Sequence, residues 1–486
     1  MTDSNRLRLA TVREVTFGVT PNTPRMRTAR TTGESLQFTP QFVQSAEIRS
    51  DRMNSDPIKI NETNQGGINY ELSYPVPDSP LSDFWRSAMF SDWVNAPAFD
   101  NDGTADAVCT GVTDSSDTFA VVSGGAAVKA GHLVRMTGFS NAANNGIFKV
   151  ASSTGTTIVL GTTSLTDEAA PPAAARIKVV GFQGASGDVT AIANGLGSTA
   201  LDFTTLGLAV GQWVKIGGTA TGDKFATAAC NDWARITAIS ATALTLDNLP
   251  AGWATDSGTG KTIKVWFGDY IRNGVTQTSL TIERGFMGQA VPTYIQQTGM
   301  VVGQATLNYT TEAIVNGSFN FMGLTGAQST TSLDASPDAE TTNAIMAANV
   351  NVGRIAESGS AVLSPNYVRS ATISLNNNLR QITAVGYVGA VDIGEGESAA
   401  SGTLETYFGS NALLAKLLAG TVGSINLRAA KNNQAIVVTV PRATFTDGSP
   451  SAGSKNTDVM LPLAFMASKD STTGCQLQMD RVEYYE

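Results

Sequence analysis

GGINYELSYP (66–75), followed by SPLSDFWRSAMFSDW (79–93), decides the fold. In the first segment Ile68, Tyr70, Leu72 and Tyr74 alternate with Asn69, Glu71 and Ser73. That period of two gives a strand with one face in a core and the other in water. In the second the period changes. Leu81, Phe84, Trp85, Ala88 and Met89 fall at i, i+3, i+4, i+7 and i+8, one apolar stripe of a helix. Pro80 suits the first helical turn, where an amide would go unpaired, and Asp78 or Ser79 suits the cap. A half-buried strand followed by an amphipathic helix is expected.

The same order of elements returns later. LQFTPQFV (36–43) reads as a strand, set apart from Ile68–Tyr74 by the turn-rich SDRMNSDPIKINETNQGG (50–67). QTSLTIERGF (277–286) is a strand, and MVVGQATLNYTTEAIVNGSFNFMG (300–323) is a hairpin whose second limb alternates Val315, Gly317, Phe319 and Phe321. Thr325 to about Asn343 reads as a Ser/Thr/Asp/Ala-rich linker. Then come strands in SATISLNNNLRQITAVG (370–386) and GTLETYF (402–408), and a helix in NALLAKLLAG (411–420). Its apolar face is Leu413, Leu414, Leu417 and Leu418, with Ser410 to cap the start and Gly420 the end. SINLRAAKNNQAIVVTVPRATF, VMLPLAFMAS and CQLQMDRV supply further strands. Tyr70, Leu72 and Tyr74 can be laid over Leu404, Thr406 and Phe408.

Residues 100–270 interrupt the first copy and contain their own repeat. VKAGHLVRMTG (128–138) matches LAVGQWVKIGG (208–218), placing Gly131 over Gly211, and FKVASSTGTTIVL (148–160) matches ARITAISATALTL (234–246). Two small all-β modules of about 80 residues are expected, each closing its own core.

Composition removes most chemistry. With 42% hydrophobic and 15% charged residues and 48 glycines, the chain is β-rich and turn-rich. His132 is its one histidine, which excludes HExxH zinc chemistry and leaves almost no room for a Ser-His-Asp triad. Cys109, Cys230 and Cys475 are widely spaced and odd in number, so neither a disulfide framework nor a thiolate metal site is expected. SGTGKT (257–262) ends like a phosphate loop, but Thr255 replaces the first glycine and a strand follows. Asp100, Asp102 and Gly103 form a turn without the later ligands of a calcium loop, and Glu395 and Glu397 sit in a glycine-rich turn. No catalytic, cofactor-binding or metal residues are expected. The segment MTDSNRLRLATVREV is too polar for a signal peptide, and no apolar run is long enough to cross a bilayer. Residues 1–30 hold six arginines against Asp3 and Glu14, whereas the other 456 residues hold 26 basic and 39 acidic groups. That asymmetry reads either as a solvated tail or as a basic arm docking on the acidic body of a neighbouring copy.

TGESLQFTPQFVQSAEIRSDR, GGINYELSYP, SPLSDFWRSAMFSDW, SLTIERGF, GSFNFMG and SLNNNLR, in this order, resemble the major tail tube protein of long, flexible-tailed bacteriophages. The resemblance implies a mainly β fold: two tail-tube-type β-sandwich domains, each with a flanking helix, plus two small inserted all-β modules on the exterior. The expected division is an arm at 1–30, a first tube domain at 31–103 and 269–324, modules at 104–185 and 186–268, a linker at 325–365 and a second tube domain at 366–486. It further implies stacked rings forming a channel for DNA, in a virion tail assembled in the bacterial cytoplasm. The implied partners are further copies of the chain, the tape-measure protein, tail terminator and tip proteins, and genomic DNA in passage, without membrane insertion. Two sandwiches per chain predict rings of three chains with a pseudo-sixfold wall; if the halves form one sandwich, six. Assembly contacts are expected at Arg6, Arg8 and Arg13 of the arm and at Arg49, Asp51, Arg52 and Asp56 of the long loop. An acidic bore would let a duplex slide, because carboxylates repel phosphates. The competing reading is a carbohydrate-binding or adhesin-like β protein of a cell or virion surface.

Overall fold

The computed structural model describes residues 3–102, 108–161 and 164–485; Gly103 and the 103/104 boundary lie outside them. The body is built from β1 (Leu7–Arg13), β2 (Gly33–Glu34), β3 (Gln37–Val43), β4 (Ile58–Glu71), α1 (Pro80–Met89), β5 (Asp269–Arg272), β6 (Leu280–Phe286), β7 (Thr293–Thr310) and β8 (Asn316–Met322). It continues with β9 (Val352–Glu357), β10 (Val368–Asn376), β11 (Ala399–Tyr407), α2 (Ala412–Ala419), β12 (Val422–Lys431), β13 (Gln434–Gly448), β14 (Val459–Ala467) and β15 (Gln478–Glu483).

One long antiparallel sheet runs through the body. Its order is β2/β3, β4, β8, the second half of β7, β10, β11, β14 and the end of β13. Ile68, Phe319, Leu307, Ile373, Leu404 and Leu463 share its apolar face and one continuous core. Alternation in each strand forces this, because paired residues point the same way. Against that face lies α1, whose Phe84 and Trp85 rings meet Phe319 edge-on. Ser79 caps the helix, accepting from the Ser82 amide, and Pro80 opens it. In α2 only Leu413 is fully buried and Leu418 stands in solvent; its cap position is Asn411 rather than Ser410, while Gly420 ends it at φ 60°.

The strands β7 and β13 are long enough to bend out of the long sheet into a second layer. The first half of β7 pairs with β6, which pairs with β1, and on its other side with Thr325–Ser329. The first half of β13 lies between β12 and β15, with β9 beyond β12 and β5 beyond β15.

Residues 98–266 form a separate thirteen-stranded sheet. The two repeats do not close cores of their own. The strand Arg176–Gln183 pairs with His132–Thr137 of the first and Lys264–Trp266 of the second, and one apolar cluster spans both. This block lies on the outer face of the second layer, where Trp213, Trp233, Trp266, Leu133 and Val180 cover Ala435, Val437 and Val482. The AIVVTV run of β13 is buried at every position, on both faces; its one polar residue, Thr439, accepts from the Trp213 indole at 2.9 Å.

Two further expectations change. Residues 7–13 are not a free arm: β1 pairs along its whole length with β6, and Leu9 and Ala10 are core residues. The 325–365 stretch is not a free linker, since its ends are strands of the second layer and Met346 is buried.

Candidate functional site: a polar sheet face and its projecting loops

Turning the apolar face of the long sheet inward leaves the opposite face to solvent. It carries Gln37 and Thr39, Gln65 and Asn69, Asn316, Ser318 and Asn320, Gln304, Thr306 and Asn308, Ser370, Thr372 and Ser374, then Ser401 and Thr403. Their side chains link across strands. Thr306 and Ser318 lie 2.9 Å apart, Asn308 donates to Asn316 at 3.2 Å, and Gln304 accepts from Asn320 and donates to Ser374 at 3.3 Å. Among the outward positions of these eight strands the carboxylates are Glu71, Glu405 and Asp447; Arg369, at the bulge of β10, lies 3.9 Å from Glu405, and exposed Arg442 stands at the start of the β13 segment, two residues before Thr444. Such a face hydrates well and offers a polyanion few cations, of which Arg369 lies beside Glu405. The body's other carboxylates lie elsewhere.

Beyond Gln65, β3 and β4 pair only with each other, forming a ribbon that leaves the sheet and ends in residues 44–57. Its side chains include Phe42, Val43, Ile48, Met53, Ile58 and Ile60, all more than half exposed. At the tip Arg49 bonds Asp51 at 2.6 Å and Glu47 at 3.6 Å, and Arg52 adopts a φ of 60°. Asp56 is exposed nearby. The Arg49–Asp51 hydrogen bond draws the Asp51 pKa down. A second loop, between β10 and β11, bears exposed Val385, Tyr387 and Val388 and touches the ribbon where the Gly389 amide donates to Asn61. These uncovered apolar groups form a candidate surface for contact with another protein.

The arginines of the first segment divide. Arg6 is exposed. Arg8 is committed within the chain, bonding Glu283 at 3.0 Å and Ser332 at 2.7 Å, and Arg13 lies 3.6 Å from Asp83. The exposed apolar side chains of the two loops carried the stronger signal, visible as QFV, EI and AVGYVG inside polar stretches.

His132, readable from its setting as a surface or strand residue, is a buried strand residue: its Nδ1 accepts from the Lys129 amide and its Nε2 donates to the Leu206 carbonyl. Burial pushes its pKa down to about 4. Lys261 of the SGTGKT segment donates to the Thr221 carbonyl, and strand Lys264–Trp266 follows. All three cysteines are buried and unpaired; burial pushes the Cys109 thiol up to about 12. Among the described residues no cluster of His, Cys, Asp and Glu could hold a metal ion, and no helix is long and apolar enough to cross a membrane.

No curated protein matches the chain. The family model for phage tail tube proteins matches residues 4–467, nearly the whole length, so the chain belongs to the phage tail tube protein family.

Proposed function

We propose that three copies of this tail tube protein close into a ring with the long sheet as its inner wall, that rings stack into a long flexible tail, and that the polar face lines the channel through which DNA passes. The role is structural; the product is geometry.

A pattern of bulges that recurs inside the chain supports this reading. The pairing of β6 with β7 skips a position between Leu280 and Ile282, opposite Met300 and Gln297; the pairing of β12 with β13 skips between Gly423 and Ile425, opposite Ala443 and Val440. All four positions recur 143 residues later. The next bulge, between Val302 and Gln304, recurs at the same spacing between Phe445 and Asp447. Bulges are specific features of a fold, and coincidence at two of them supports one ancestral unit used twice. The flanking elements follow suit: β1 lies beside β6 as β9 lies beside β12, and helices follow β4 and β11 alike. On this reading the first unit is β1–β4, α1 and β6–β8, the second is β9–β14 with α2, and the 98–266 block decorates the ring exterior, on the side away from the polar face.

Eight strands per chain give 24 for three chains. At about 4.8 Å per strand and a tilt of about 40°, the backbone barrel is roughly 50 Å across, enough for a B-form duplex with its water. Six chains would double that diameter with no gain for transport. The tape-measure protein would occupy the bore before DNA, with terminator and tip proteins at the tube's ends, after assembly in the host cytoplasm. The adhesin-like alternative has less support, since Trp85, Trp93, Trp213 and Trp233 are buried and Trp253, half-buried, donates its Nε1–H to the Ile192 carbonyl. Electron microscopy and native mass measurement of one ring test the proposal: three chains around a hollow bore support it, whereas six chains, or a protein that stays monomeric, overturn it.

A further inference from the structure

The long sheet ends in two raw edges. On one, β2 and β3 pair only with β4. On the other, residues beyond Thr444 in β13, and Ser451–Ala452 after it, pair only with β14. Ser35, Gln37, Thr39, Asp447, Ser449 and Ser451 are all exposed. An isolated chain with two such edges is prone to add strands, and Pro40 and Pro450, which lack an amide, limit indiscriminate pairing.

Inside the chain the corresponding edges already meet. Gly33 and Glu34 lie opposite Asn69 and Ile68, as Ser370 and Ala371 lie opposite Glu405 and Leu404. Gln37 and Phe38 lie opposite Gln65 and Asn64, as Ser374 and Leu375 lie opposite Ser401 and Ala400. Thus Gly33–Thr39 holds the place of Ser370–Asn376. By the spacing between bulges, Asp447–Gly453 holds the place of Gln304–Thr310. The internal seam joins the latter member of each comparison, antiparallel, with Ser370 opposite Thr310 and Asn376 opposite Gln304.

We infer that neighbouring chains close the ring by repeating this seam: Gly33–Thr39 of one copy pairs with Asp447–Gly453 of the next, Gly33 opposite Gly453 and Thr39 opposite Asp447. The inference rests on the self-assembly reading above and adds the surface and register. The approaching strands suit each other. Ser449, Ser451, Ala452 and Gly453 are small, so no bulky side chain holds the backbones apart, and Glu34 brings no free charge because Arg284 binds it at 3.1 Å. The pairing removes both raw edges at once, continuing the polar face from chain to chain.

Cysteine cross-linking of assembled tubes tests the register. Gln37→Cys with Ser449→Cys sets two exposed, directly opposed positions, and the buried native cysteines do not interfere. Oxidation should convert the double variant into covalent closed trimers, leaving each single variant monomeric under denaturing conditions. The shifted pair Gln37→Cys with Ser451→Cys should link at least about tenfold more slowly, because it displaces the facing atoms by one pleat repeat. Thr306→Cys with Ser374→Cys, the internal equivalent, should link within one chain. Tubes in which the shifted pair links faster overturn the register; tubes in which neither links overturn the seam but leave the ring reading standing. Wild-type protein that forms no rings under any condition overturns both.

Discussion

Arg481 donates from Nε to Asp269 at 2.7 Å, in a site where both side chains are sealed from water. Lys178 reaches the same carboxylate oxygen at 2.8 Å, and the Ala96 amide takes the other at 2.9 Å. Arg481 also donates to the Pro75 carbonyl and to Ser82 and Asn95, with its guanidinium 4.1 Å from the centre of the Trp93 ring. One ion cluster therefore ties helix α1, the 98–266 block and strands β5 and β15 together. Burial opposes ionisation of Asp269, but the two cations and the amide outweigh it and hold the pKa below the usual carboxylate value. Asp269→Ala would leave two buried cations without a counter-charge, which costs about 3–5 kcal/mol. Urea unfolding should show a lower midpoint with an unchanged slope. A loss below about 1 kcal/mol would mean that water or other groups compensate.

The 98–266 block cannot simply be cut away. Removing residues 97–266 would uncover Ala435, Val437, Val482, Tyr484 and Tyr485 and take Lys178 from Asp269. The deletion protein is expected to aggregate. Adding polar substitutions at Val437, Tyr484 and Tyr485 should restore solubility and ring formation. A plain deletion that yields normal tubes would show that this buried face contributes nothing.

His132 and Gln212 occupy the same place in the two repeats. Gly131 and Gly211 precede them at φ 89° and 92°, and each side chain accepts from the amide three residues back, of Lys129 and Ala209, while bonding a carbonyl at its far end. With a folded pKa of about 4 against an ordinary 6.5, the neutral ring is the form that the fold holds. Its contribution is intact above pH 6.5 and is lost as pH falls toward 4, reaching about 3 kcal/mol. His132→Gln should leave stability at pH 7.5 nearly unchanged and flatten the loss between pH 6.5 and 4. An unaltered acid slope would place the sensitivity elsewhere.

Much of this was legible because alternation survives wherever one face is buried and the other wet. Ile68, Tyr70 and Leu72, or Val315, Gly317 and Phe319, needed no tertiary information. Strand β1 was obscured by Arg6, Arg8 and Arg13, whose charge suggested an arm although Leu7 and Leu9 alternate beneath it. Charge reports solvation, and a strand with one charged face is still a strand. The run AIVVTV was legible as a strand, but not that both its faces are covered; the structure supplies the cover, Trp213 and Trp266 from more than 150 residues upstream. The shared core of the two repeats was likewise hidden, because sequence similarity reports a repeated unit and not which strand joins the units.

Stacking should depend on the two projecting loops. Ile48, Met53, Val385 and Tyr387 are exposed in the single chain, and burying such groups between rings would contribute about 1.5–3 kcal/mol for each fully covered side chain. Ile48→Asp with Met53→Asp is expected to leave rings intact and abolish long tubes, read by electron microscopy and sedimentation. Long tubes at wild-type yield would remove these loops from the ring-to-ring contact.

The polar face makes a prediction about transport. Of the outward carboxylates Glu71, Glu405 and Asp447, Glu405 lies 3.9 Å from Arg369, and Ser, Thr, Asn and Gln fill most of the other positions. A duplex in such a bore meets weak repulsion and exchangeable hydrogen bonds to water-like groups, so no site holds it. Fixed cations would change that, since each neutralised phosphate releases a counterion and stabilises the bound duplex in a salt-dependent way. Asn308→Lys with Asn320→Lys adds two cations per chain on neighbouring strands without touching the core or the proposed seam. Tubes of this variant should keep their diameter but retain short duplex DNA at low salt and release it as salt rises, whereas wild-type tubes should retain little at either. Equal DNA retention by the two proteins would show that the polar face does not line the bore.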